Sequence, residues 1–225
     1  MRGSDIELFS VSRRAWLAHC SVLCAGAAVS VAAPARAQGP RPKLVVVGDS
    51  LTAEYGLARG QGWVALLEQK LTGEKLPYQV VNASISGDTT SGGRSRLPAL
   101  LKEHKPRVVI LELGGNDALR GLPLAMTQAN LNEMARAAKV AGAKVLVLGM
   151  AVPPNYGRAY SESFTGLFGS VARAQGAALV PFLLAGVADV PNAEEWFQAD
   201  RIHPKAAAHP KMLANVWPVL RPLLK

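Results

Sequence analysis

From Lys43 onward, apolar residues follow two alternating rhythms. Short continuous runs at 43–48, 78–83, 107–113, 144–150 and 178–182 read as strands buried on both faces. Between them the spacing is helical. Trp63, Leu66, Leu67 and Leu71 share one face, as do Leu97, Leu100 and Leu101. Pro123 is placed to start a third helix, in which Leu131, Met134 and Ala138 recur before Gly142 ends it. Leu213, Val216, Trp217 and Leu220 mark a last helix, which Pro218 should kink or break. Strands alternating with helices predict an α/β fold with a parallel sheet. No repeat or change of composition divides the chain, so residues 43–225 are read as one domain behind a Pro/Gly-rich leader at 38–42.

The first three strands each run into a small polar turn: Gly48-Asp49-Ser50, Asn82-Ala83-Ser84-Ile85-Ser86-Gly87-Asp88-Thr89 and Gly114-Gly115-Asn116-Asp117. Open parallel sheets bind ligands at the carboxyl ends of their strands. In a doubly wound sheet of order 2-1-3-4-5, strands 2 and 3 flank strand 1, and Ser50, Gly87 and Asn116 meet at one edge. A serine in that position is often only a helix N-cap. As a nucleophile it needs a base, and the base needs a group that orients it. Beyond the first 37 residues the histidines are His104, His203 and His209. His104 ends a helix among charges and reads as solvated, and His209 in an Ala-rich stretch reads as a surface or cap residue. His203 follows Asp200 by three positions, late in the chain and past the last strand. Such a pair alone usually means a cap. Here Asp200 could hold one ring nitrogen while the other faces Ser50. The N–H of Ser50, the N–H of Gly87 and the Asn116 amide would then be donors to an oxyanion, with glycine at 87 letting the backbone approach the substrate.

Gly48-Asp49-Ser50-Leu51, Gly87, Gly114-Gly115-Asn116-Asp117 and Asp200-x-x-His203 resemble, in order, the four blocks of the SGNH, or GDSL, hydrolases. The longer runs at 82–89 and 111–117, with Pro153–Gly157 and Asn215–Pro218, are similar to the branch of periplasmic acyl-CoA thioesterases, lysophospholipases and arylesterases. The resemblance spans residue 43 to the C-terminus. It implies a flavodoxin-like, three-layer, five-stranded fold, with Ser50 as nucleophile, His203 as general base and Asp200 as its orienter. It further implies an oxyanion hole of Ser50, Gly87 and Asn116, structural roles for Asp49 and Asp117, and a loop at 118–123 that moves over the acyl chain. Arg201 and Glu54 depart from it, standing where small residues are usual.

Hydrophobic residues make up 49% of the 225, enough for one sizeable core. Residues 1–37 join Arg13-Arg14, a short apolar run and Ala35-Arg36-Ala37, the form of a cleavable export signal, with a twin-arginine route as one version of it. Both cysteines, Cys20 and Cys24, fall in that segment, which removes disulfide and thiol chemistry from the exported chain. Export implies the periplasm or the medium. Residues 38–225 keep 21 basic and 14 acidic side chains, a net +7. These are scattered, so a solvated surface with at most peripheral lipid contact is expected rather than nucleic-acid binding. The histidines match no zinc spacing, and phosphate-loop, dinucleotide and Gly-x-Ser-x-Gly signatures are absent, so no cofactor or metal is expected. The expected function is hydrolysis of small-molecule esters and thioesters with apolar acyl groups. A carbohydrate acetyl esterase on the same fold and an exported binding module are the competing readings.

Overall fold

The computed structural model describes residues 39–225; the expected export signal and Gln38 lie outside the described residues. Five parallel strands stand in the order β2-β1-β3-β4-β5, comprising β1 (Lys43–Gly48), β2 (Gln79–Asn82), β3 (Val108–Glu112), β4 (Lys144–Leu148) and β5 (Ala178–Val180). The apolar runs supply the three central strands: Leu44 to Val47, Val108 to Leu111 and Leu146 to Leu148 are all inaccessible to solvent. Strands of this kind need helices on both faces. One face carries α2 (Thr90–His104), α4 (Leu124–Val140) and α5 (Arg158–Gln175), and the other carries α1 (Trp63–Gly73) and α6 (His209–Leu220). The α/β, three-layer, doubly wound arrangement agrees with the expected strand order.

Two helices go beyond those expected. The short α3 (Gly115–Leu119) forms inside the Gly-Gly-Asn-Asp turn, with Gly114 at φ +121° before it. The long α5 buries Phe164, Leu167, Phe168, Val171 and Ala172, a helical stripe visible in the sequence between β4 and β5. Pro218 neither ends α6 nor separates it from its last apolar turn, because the helix runs through to Leu220. Both Pro218 and Ala214, whose carbonyl loses its N–H partner, are exposed, so the freed carbonyl is not buried without a partner. Pro98 within α2 is exposed in the same way.

The core is continuous across both faces. Trp63 anchors α1 at 0% exposure, while Phe164 and Phe168 meet edge to face at 5.3 Å under α5. The Phe168 ring also lies 3.3 Å from where a Cβ on Gly114 would sit, so α5 packs directly behind the turn that carries Asn116. Phe168→Ala will therefore lower unfolding stability by about 3–5 kcal/mol in urea denaturation. A loss below about 1 kcal/mol would mean that this contact does not hold α5 down.

Candidate active site

The serine stands on a turn built by its neighbour. After β1 ends at Gly48, the Asp49 carbonyl accepts the N–H of Thr52 (3.2 Å) and Ala53 (2.9 Å), and its carboxylate accepts the N–H of Leu51 (3.1 Å). Residue 48 must be glycine here, since a Cβ would lie 2.9 Å from both Glu112 Oε2 and the Thr52 side chain. The turn projects Ser50 Oγ to 2.9 Å from His203 Nε2, across 153 positions of sequence. His203 Nδ1 lies 2.7 Å from Asp200 Oδ2. A carboxylate only accepts, so Nδ1 carries the proton and the Nε2 lone pair faces the hydroxyl.

Asp200 is held as an anion. Its Oδ1 accepts the N–H of Ile202 (2.9 Å) and of His203 (3.0 Å). The His203 N–H foremost, then the His203 ring and the Ile202 N–H, bring its carboxyl down to about 2. The 196–205 segment closes on itself through Gln198 N–H to the His203 carbonyl (2.8 Å) and a Phe197–Pro204 bridge. Arg201 takes φ +57° inside it, a left-handed conformation that explains why a small residue suits the position. Gln198 Nε2 donates to the Tyr55 carbonyl at 2.9 Å, and the Tyr55 ring packs 4.2 Å from the imidazole of His203.

Two backbone donors stand free on the same edge. Neither the Ser50 nor the Gly87 N–H has an acceptor within the described residues. Gly87 takes φ +78°, and a Cβ there would meet only Arg120 Nη2, at 3.7 Å. Its backbone conformation alone already favours glycine at this position. Asn116 differs again, because both N–H groups of its amide are engaged, one with Asp49 Oδ2 (3.0 Å) and one with the Asp88 carbonyl (2.9 Å). Arg120, on the loop after α3, donates to the Gly87 carbonyl at 2.7 Å.

Beneath the turn lies a feature the sequence analysis missed. Glu112, the last residue of β3, is fully buried; its Oε2 accepts the Asp49 N–H (3.2 Å) and the Thr52 hydroxyl (2.8 Å), while Oε1 has no donor. Burial foremost, and then the Asp49 charge, push its carboxyl well above the ordinary range. Burial foremost also lifts the Asp49 carboxyl, to about 6. A glutamate inside the apolar run from Val108 to Leu113 was the available signal. Asp49 reaches further than the expected ordering of its turn, since it also orients the Asn116 amide.

Other residues fall outside the site. Asp117 is buried and accepts from Thr90 and Thr127, joining α2, α3 and α4. Glu54 accepts the N–H groups of Gly60 and Gly62 and pins the entry to α1, away from the reacting atoms. His209 is buried, not on the surface; its Nδ1 accepts the Trp63 N–H (3.0 Å), and burial lowers its basicity. His104 is largely covered rather than solvated, with Nδ1 unpartnered. Leu51 points into the core. Among the described residues no three His, Cys, Asp or Glu side chains are grouped to hold a metal.

Residues 46–210 match the model of the GDSL-like lipase/acylhydrolase family. The chain belongs to this family. It is similar to the esterase TesA of Pseudomonas aeruginosa, at 55% identity over 187 residues, covering 83% of this chain and 92% of the relative. The crystal structure of TesA shares 56% sequence identity with a TM-score of 0.77, covering 80% of this chain and 99% of that one. The thioesterase 1/protease 1/lysophospholipase L1 of Escherichia coli is 41% identical over 181 residues, covering 80% of this chain and 84% of the relative. The chain is thus an SGNH-type hydrolase of the esterase and thioesterase group, on the five-stranded fold described above.

The buried acid pair makes stability depend on pH. A carboxyl whose folded pKa is raised binds its proton more tightly when folded. Its contribution is greatest below the unfolded value and declines as pH climbs towards the folded one. Glu112→Gln keeps an acceptor for Thr52 and removes this titration. Urea midpoints from pH 4 to 9 should show the wild type losing ground to the variant as pH rises; a constant gap would exclude a protonated Glu112.

Proposed function

We propose that the chain hydrolyses esters and thioesters of apolar acyl groups through an acyl-enzyme on Ser50. The hydrogen-bonded line from Ser50 Oγ through the His203 imidazole to Asp200 carries this reading. His203 Nε2 takes the hydroxyl proton as Ser50 Oγ attacks the carbonyl carbon, and Asp200 stabilises the imidazolium. The N–H groups of Ser50 and Gly87 receive the oxyanion, with the Asn116 amide, held by the Asp88 carbonyl and Asp49, as the third donor. His203 then passes its proton to the leaving oxygen or sulfur. Water, deprotonated by the same imidazole, releases the acid and restores Ser50.

The surroundings favour an apolar acyl group over an acetylated sugar. Tyr55 (49% exposed), Ile85 (54%) and Ile202 (47%) lie on loops that bear the reacting groups or adjoin them, and Leu119 (45%) closes the short helix that carries Asn116. We read the substrate as a small acyl ester or thioester and residues 1–37 as an export signal placing residues 43–225, one domain, in the periplasm or medium. No helix among the described residues is long and apolar enough to cross a membrane.

Ser50→Ala should fold normally and lose turnover of p-nitrophenyl butyrate and octanoate by about four to six decades. It should also lose covalent labelling by a fluorophosphonate, and undiminished turnover would remove the assignment. Asn116→Ala should cost about 10²–10³-fold in kcat. A loss under threefold, read in the same assay, would take the amide out of the oxyanion hole.

A further inference from the structure

The three donors assigned to the oxyanion stand on three different strand ends, and a single guanidinium reaches the backbone behind them. Arg96 projects from the middle of α2 towards the carboxyl edge of the sheet, with its side chain 21% exposed. Its Nε donates to Asp88 Oδ2 at 2.8 Å, one Nη donates to the Ala83 carbonyl, and the other reaches the Gly48 carbonyl at 3.4 Å. Gly48 closes β1 two residues before Ser50, Ala83 follows β2 directly, and Asp88 adjoins Gly87. Asp88 continues the connection: its carbonyl accepts from the Asn116 amide (2.9 Å) and its Oδ1 accepts the Thr89 N–H (2.9 Å). Its carboxylate, 12% exposed, fills the space beside Gly92, where a Cβ would lie 1.9 Å from Oδ1. Residue 92 is thus glycine so that Asp88 can fold back over the start of α2.

We infer that the Arg96–Asp88 ion pair is the positioning element of the oxyanion hole, setting the separation of the Ser50, Gly87 and Asn116 donors. This rests on the proposed roles of those donors. Arg96 touches no reacting atom and is no catalytic residue. Its charge is matched by Asp88, so the pair works by geometry. A planar guanidinium can hold three acceptors at fixed angles, which an ammonium cannot. Two of its bonds reach carbonyls at the ends of β1 and β2 and the third reaches Asp88 beside Gly87; among the described residues none joins α2 to a neighbouring helix. A displacement of about 1 Å in a donor costs on the order of 10²-fold in rate.

The test compares Arg96→Met, Asp88→Asn, Arg96→Lys and the Arg96→Met/Asp88→Asn double variant with wild type on p-nitrophenyl butyrate. Arg96→Met and Asp88→Asn should each lower kcat by about 30-fold or more, with KM within about threefold and the acid limb of the pH profile unmoved. Arg96→Lys should recover part of the loss, and the double variant should lose little more than either single one, as members of one unit do. Folded Asp88→Asn or Arg96→Met protein with kcat within twofold of wild type, whatever its Tm, would overturn the inference and leave the pair a purely structural one. If Arg96→Met fails to fold, Asp88→Asn decides, because it is nearly isosteric and keeps the Thr89 acceptor. Ser50→Ala and Asn116→Ala run alongside. Their retention of activity would refute the underlying mechanism, whereas their loss with an active Asp88→Asn would refute only the role of the pair.

Discussion

Lateral pairing of β1 with its two neighbours is the constraint from which the site follows. Val46 is in register with Asn82 on one side, and Gly48 with Glu112 on the other. Parallel strands stand about 4.8 Å apart. Three loops that leave these strands are therefore delivered within a few side-chain lengths of each other before any of their residues interacts. Shifting either register by one residue would reverse every side chain of a strand buried on both faces. The packed core holds the register, and the register holds the donors.

Much of this architecture was legible because buried parallel strands write themselves as uninterrupted Val and Leu runs that end in glycine. The strands and the polar turns that follow the first three come from that pattern, while the strand order and the choice of His203 over His104 and His209 rested on the resemblance to the SGNH blocks. The hidden part was of two kinds. Position 87 and position 48 both need glycine, but for different reasons that only dihedral angles and distances separate: φ +78° at one, contact with Glu112 and Thr52 at the other. Buried polar side chains were the second kind. Glu112 acts on Asp49 and Asp49 on Asn116 across 63 and 67 positions, and no local spacing encodes contacts that long.

Placing two carboxyls under the Ser50 turn opposes stability, since burial disfavours their charge. The arrangement persists because each carboxyl keeps donors: Asp49 has the Leu51 N–H and the Asn116 amide, and Glu112 has the Asp49 N–H and the Thr52 hydroxyl. An apolar filling would be easier to bury, but it could not hold an asparagine amide beside the Ser50 turn. Function here is assembled from groups that a core would otherwise exclude.

The histidine proposed as general base has a different anchorage from everything around it. His203 belongs to no strand; its short segment is fastened by Phe197 in the core and by the Gln198 side chain reaching Tyr55. Detaching so small a flap exposes far less apolar surface than melting the sheet, so it is reached at a lower free energy. Loss of catalysis on warming will consequently precede the calorimetric transition, and it will be recovered on cooling.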